Sequence, residues 1–116
     1  MNIEDFRAHC IAKQGTTEGF PFDQKTLVFK AIKMFALTNI DDFKSVNLKC
    51  DPEYAIELRE QFYGIKPGYH MNKKHWNTVE INSDVSDKLL FELIDLSYDL
   101  VVKGLTKKQK LELESL

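Results

Sequence analysis

The chain has 116 residues, of which 43% are hydrophobic and 29% charged, and its 16 basic and 18 acidic residues leave a net charge of −2. This length suits one domain with its own core, so we expect a single domain over residues 1–116. Eight Phe, four Tyr and one Trp argue against disorder, and the charge balance excludes a uniformly basic protein.

The N-terminal half predicts one helix followed by several short strands. Asn2 can cap the helix and Gly15 follows its end. In the last strand of this half, Val46, Leu48 and Cys50 alternate with polar residues, so we expect one buried face and one wet face. The helix and strands are expected at residues 2–13, 27–32, 34–37 and 43–50.

The C-terminal half predicts capped helices around one further strand. One helix begins at Asp51 and ends at Gly64. Either Ser83 or Ser86 can cap the longest helix, and the apolar stripe of that helix includes Ser97. We expect the Ser97 hydroxyl to bond a backbone carbonyl one turn earlier. The other predicted elements are a loop over 65–75, a strand over 76–81 and a short final helix capped by Thr106.

The order of these elements is helix, several short strands, helix, strand, helix, helix. Strands that follow one another without crossover helices form antiparallel sheets, so the order predicts an α+β fold. No internal repeat, low-complexity tract or linker divides the chain.

The cysteines and the apolar runs indicate a cytoplasmic protein. Cys10 and Cys50 form no C-x-x-C pair or clustered metal pattern. A secreted domain of this size usually carries more cysteines, so we expect reduced thiols, with a Cys10–Cys50 disulfide as the alternative. The first residues show no signal peptide, and no apolar run reaches the ~18 residues that cross a bilayer, so we expect no membrane contact.

The stretch from Gln61 to Val79 contains no acidic residue, although the chain has 18 carboxylates. Ammonium groups meet phosphates and aromatic rings stack on bases, so basic residues among aromatics suit a phosphate-bearing partner. The alternative is an ordinary solvated loop. The residues that give the stretch this character are Tyr63, Lys66, Tyr69, His70, Asn72, Lys73, Lys74, His75, Trp76 and Asn77.

Several of these residues also have structural explanations. Trp76 either packs in or beside the core or stacks on a base. His70 and His75 could reach a phosphate, or one of them could fix the loop by bonding a backbone carbonyl. Without a third soft ligand nearby, we expect no metal site. Asn72 suits a turn conformation and could simply shape the loop.

The sequence of residues 66–79, KPGYHMNKKHWNTV, resembles the signature of the MmcQ/YjbR-like proteins, a family of small bacterial domains. The resemblance covers nearly the whole chain, since further segments agree in order and spacing at 18–22, 33–36, 46–49, 51–53 and 97–101. It implies a two-layer α+β fold with a curved antiparallel sheet packed against helices, related in shape to frataxin-like domains. It also implies a double-wing arrangement and DNA binding, and it implies no catalytic residue and no cofactor.

We therefore expect a binding module that is not an enzyme and that contacts DNA phosphates through the loop at 66–76. The residues expected at this interface are Lys49, Lys66, His70, Asn72, Lys73, Lys74, His75 and Trp76. Lys30 and Lys33 would extend the positive surface if their strands present them on the same face. The alternative is a small-anion or protein-interaction module that uses the same loop. We expect a monomer without cofactor or metal.

Overall fold

A computed structural model describes residues 1–116 and contains four helices and six strands. None of the helices combines the length and the apolar character that crossing a membrane requires. The helices are Ile3–Ile11 (α1), Pro52–Gln61 (α2), Asp87–Lys103 (α3) and Lys107–Glu114 (α4). The strands are Thr17–Gly19 (β1), Thr26–Ala31 (β2), Lys33–Asn39 (β3), Ser45–Lys49 (β4), Ile65–Pro67 (β5) and Trp76–Glu80 (β6).

The predicted N-caps are confirmed, but α2 ends at Gln61 and not at the predicted Gly64, and α1 ends at Ile11, two residues before its predicted end. The side chains of Asn2, Asp51 and Ser86 each accept a hydrogen bond from a backbone N–H three residues later. Of the two serines that could cap α3, Ser86 is therefore the one that does. Thr106 forms a capping box at α4, and Gly104 is the C-cap of α3.

The six strands form one antiparallel sheet in the order β1-β2-β3-β4-β6-β5. Helices cover only one face of this sheet. The main core cluster of 21 buried residues joins alternate strand residues to helix residues such as Phe6 and Ile94. A second cluster of Val28, Leu37 and Trp76 contains no helix residue and lies on the opposite face, which we call the outer face. The predicted two-layer α+β fold is confirmed.

Residues 65–75 are not the single loop that the sequence predicted. Residues Ile65–Pro67 pair with β6 as the edge strand β5, with Ile65 opposite Val79. A strand of three residues is too short to produce a recognisable period of two, which explains the wrong prediction. The loop itself covers 68–75, and its start is tied to the edge of the sheet.

Both cysteines are free, and both side chains belong to the main core cluster. Burial raises the pKa of the Cys10 thiol to about 12 and that of the Cys50 thiol to about 11. Both groups are therefore protonated in the folded protein at neutral pH, and neither is available as a thiolate.

We expect both thiols of the native protein to resist a thiol reagent such as dithionitrobenzoate at about pH 8, and to react after unfolding in urea. Both folded pKa values exceed the ordinary value of 9.0. The free energy of unfolding should therefore fall as the pH rises above that value, where only the unfolded thiols lose their protons. Absorbance at the reagent's product band measures the reaction, and a native thiol that reacts as fast as an unfolded one would contradict the expectation.

Candidate functional site

The outer face carries three parallel rows of side chains that cross the strands. The central row follows the strand register through Val28, Leu37, Asn47, Thr78 and Lys66. The next outward-facing position along these strands forms the lysine row, which contains Lys30, Met34, Lys49 and Trp76. On the other side lies the polar row, formed by Thr26, Asn39, Ser45 and Glu80. The lysine row and the polar row are four residues apart along a strand, or about 13 Å.

The loop at 68–75 lies across the central row and is docked on it by hydrogen bonds. The backbone N–H of Tyr69 donates to Thr78 Oγ1 at 2.8 Å, and Asn47 Nδ2 donates to the Tyr69 carbonyl at 3.3 Å. The Thr78 hydroxyl also donates to the side-chain oxygen of Asn47, so the two side chains act together. Met71 packs against the outer-face cluster. These contacts fix the loop to the outer face.

Gly68 allows the loop to pass directly over Trp76. The Gly68 N–H donates to the Trp76 carbonyl at 2.8 Å, and a Cβ on Gly68 would lie 2.7 Å from the Trp76 Cβ. Trp76 is only 8% exposed and packs with Val28 and Leu37. Its ring therefore supports the loop from below and leaves little surface on which a base could stack.

Asn72 and Lys73 shape the loop from within. Asn72 Oδ1 accepts hydrogen bonds from the backbone N–H groups two and three residues further on. The Lys73 ammonium donates to the Gly68 carbonyl at 3.0 Å, and Arg59 of α2 donates to the Lys73 carbonyl at 3.4 Å. The partner of the Lys73 ammonium is a carbonyl, so no carboxylate is paired with this lysine.

The register decides which predicted cations share a surface. Lys49 and Lys30 lie on the same row of the outer face. Neither of them nor Lys74 forms an ion pair with a carboxylate. Lys66 does form one, with its Nζ 2.7 Å from Glu80 Oε1, and its charge is offset there. Four lysines therefore have no carboxylate partner: Lys30 and Lys49 of the lysine row, and Lys73 and Lys74 of the loop.

The two histidines lie at the margins of this surface, and Lys33 lies outside it. His70 is exposed, adopts the left-handed conformation with φ of 59°, and its ring centroid is 4.1 Å from that of Tyr69. His75 is half-buried directly before β6. Lys33 pairs with Ala31, which belongs to the main core cluster, so Lys33 does not join the outer face. No three His, Cys, Asp or Glu side chains converge on a metal-ligating group.

Ser97 of α3 anchors Lys49 from the helix side. Its fully buried hydroxyl accepts from the Lys49 N–H at 2.9 Å and donates to the Phe35 carbonyl at 2.6 Å. The prediction that this hydroxyl bonds a carbonyl one turn earlier is wrong. The β3–β4 pairing ends at Ala36 and Leu48, and the hydroxyl takes the place of the next bond in the ladder.

A cleft of about 540 Å³ opens beside the polar row. Its volume falls within the roughly 300–1,000 Å³ typical of small-molecule sites. Phe22 and Tyr69, which are 63% and 69% exposed, stand on opposite sides of its floor. No pattern in the sequence predicts this cleft, because its lining comes from four separated segments. One local pattern does bear on the cleft: the alternation in β4 places Ser45 and Asn47, which both line it, on the wet face of the strand.

Comparison with known proteins assigns this chain to a family. A model of the YjbR family matches residues 11–100. The chain belongs to the YjbR family. It is 44% identical over 94 residues to YbdF from Escherichia coli O157:H7, covering 78% of this chain and 76% of YbdF. It is 31% identical over 112 residues to YjbR from Escherichia coli K12, covering 95% of each chain. The predicted family is confirmed.

Solved structures agree with this YjbR-family assignment. The crystal structure of DR2400 from Deinococcus radiodurans has a TM-score of 0.87 and 44% identity, over 99% of this chain and 91% of that chain. A crystal structure from Pseudomonas syringae has a TM-score of 0.73 and 32% identity, over 87% of this chain and 99% of that chain. These similarities concern the family and the fold.

We expect Gly68→Ala to lower the free energy of unfolding by about 1–3 kcal/mol, because its Cβ would overlap Trp76 and push the loop away. Urea unfolding followed by Trp76 emission measures both the stability and the exposure of the ring. The matched control is Gly19→Ala in β1, where a Cβ meets nothing within 4 Å. Equal stability of the two variants would show that the loop does not depend on this close approach.

We expect Ser97→Ala in this YjbR-family chain to lower the free energy of unfolding by about 1–3 kcal/mol, because the Lys49 N–H and the Phe35 carbonyl lose their shared partner. Ser115→Ala is the control, since that exposed hydroxyl bonds only the nearby Glu112 carbonyl. Urea titration compares the two variants, and a Ser97→Ala loss no larger than the Ser115→Ala loss would contradict the anchoring role.

Proposed function

We propose that this YjbR-family protein is a nucleic-acid-binding module and not an enzyme, and that phosphates contact the lysine row and the loop at 68–75. The observation that carries the proposal is that Lys30 and Lys49 share a row of the outer face, next to the lysines of the loop, with no carboxylate paired to any of them. Such clustering creates a local positive potential in a chain whose net charge is −2.

The predicted interface residues take different roles in this proposal. Lys49, Lys73 and Lys74 contact phosphates, and Lys30 joins them. His70 is an exposed residue of the loop that lines the cleft beside the polar row, so it is not assigned a phosphate contact. Asn72, His75 and Trp76 hold the loop in shape, and Lys66 contributes only when it leaves Glu80. The DNA-binding and double-wing descriptions implied by the family resemblance point to the same kind of partner.

A small-anion module is the second candidate. It is favoured by the internal partners of Lys66 and Lys73, which leave fewer free ammonium donors than a long polymer could use. If this candidate is right, inorganic phosphate should displace a bound oligonucleotide when its concentration is similar to that of the oligonucleotide's phosphate groups. A polymer-binding surface requires the oligonucleotide to bind much more tightly, because several contacts act together.

We propose further that the protein acts in the cytoplasm as a monomer. The two free, buried thiols support a reducing compartment. Sedimentation of the purified protein over a series of concentrations tests this proposal. A monomer should show the mass of one chain at every concentration.

The salt dependence of oligonucleotide binding tests the lysine row. We expect log affinity for a single-stranded oligonucleotide to fall linearly with log salt, and Lys49→Gln to reduce the slope by roughly 0.7, the value for one released counterion. Lys30→Gln should reduce the slope by a similar amount. Fluorescence anisotropy at several salt concentrations measures both slopes.

The control for these variants is Lys108→Gln, which removes the same charge from exposed α4, away from the outer face. An unchanged slope with Lys49→Gln, or the same loss with Lys108→Gln, would refute the assignment of phosphates to the lysine row. Absence of binding at low salt would refute nucleic-acid binding altogether.

A further inference from the structure

The cleft beside the polar row has the lining of a site for a flat, uncharged ring. Phe22 comes from the connection before β2, and Tyr69 comes from the loop docked on β4 and β6. The two exposed rings therefore come from connections at opposite ends of the strand order and line the same cleft on the outer face. Exposed aromatic rings at the mouth of a cleft are surfaces on which a planar ligand can stack.

The floor of the cleft offers uncharged hydrogen-bonding groups that have no partner within the protein. Asn39 Oδ1 accepts from the Asp41 N–H, whereas the Asn39 Nδ2 donor bonds no protein group. The Ser45 hydroxyl also bonds no protein group, although its carbonyl accepts from Thr38. A ligand that presents donors and acceptors side by side can bond both groups.

Asp23 is the only acidic residue that lines the cleft. Hydrogen bonds from the N–H groups of Lys25 and Thr26 hold the pKa of the Asp23 carboxyl below its ordinary value, so the group is ionised at neutral pH. An ionised carboxylate at the wall repels a phosphate and attracts the exocyclic amine of a base. The phosphates and the ring of one ligand would thus lie at different ends of the outer face.

We propose that this cleft receives an unpaired nucleobase, so that the ligand of the outer face is a single-stranded nucleic acid. The inference rests on the proposed phosphate contacts at the lysine row, about 13 Å from the polar row. A single small anion cannot reach both rows, whereas a short strand can. In a duplex the faces and edges of the bases are already stacked and paired, so a duplex can offer its phosphates but no free ring.

The test compares three oligonucleotides of equal length: a single strand, the duplex of the same sequence, and an abasic strand with the same number of phosphates. Affinities are measured by fluorescence anisotropy at one low salt concentration. We expect the single strand to bind more tightly than the abasic strand by roughly 5- to 150-fold, as expected when one base stacks on an aromatic side chain. The duplex should bind no more tightly than the abasic strand.

Two variants assign that difference to the cleft. Tyr69→Ala and Phe22→Ala should each reduce the ratio between the single strand and the abasic strand toward one, without changing the salt slope. Both side chains are exposed, so both variants should fold. The matched control is Tyr63→Ala, which removes a tyrosine that is also exposed but lies outside the cleft, and it should leave the ratio unchanged.

The outcomes separate this inference from the proposed function. If no oligonucleotide binds, the nucleic-acid proposal fails and the base site fails with it. If the single strand and the abasic strand bind equally, phosphate contact stands and the base site is overturned. A duplex that binds best, or a ratio that survives both aromatic variants, likewise overturns the base site alone.

Discussion

Helices cover only one face of the sheet in this protein, and the rest of the structure depends on that constraint. Side chains of a strand alternate between two faces, so each residue that packs into the main cluster places its neighbours on the outer face. In β4, burying Val46 and Leu48 obliges Ser45, Asn47 and Lys49 to face outward. The four helices cover the other face. The outer face is largely polar because no helix covers it.

The loop at 68–75 is the one segment that partly covers the outer face, and packing from both layers holds it. Trp76 and Met71 bury apolar surface beneath the loop, while Thr78 and Asn47 bond its backbone. On the helix side, Ser97 fixes the end of β4. The positions of the surface groups are therefore linked to the core by short chains of contacts.

Charge separates the outer face into two parts. Lysines without carboxylate partners lie on one side of the central row, and ionised Asp23 lies beside the cleft on the other side. Two surfaces of opposite character on one sheet favour a ligand that is itself polar at one end and charged at the other. This division supports the assignment of phosphates to the lysine row and of a ring to the cleft.

The sequence by itself determined the helices with their caps, the alternation in β4 and the acid-free stretch, because each depends on residues close together in the chain. The resemblance of residues 66–79 to a known family also identified the fold class correctly. Only the tertiary structure decided that Lys66 pairs with Glu80, that Trp76 is packed beneath the loop, and that Phe22 and Tyr69 share a cleft. Those relations depend on strand register between distant segments, including a register shift between Phe29 and Lys30 in the β2–β3 pairing and two three-residue strands. No local pattern of residues specifies such a register.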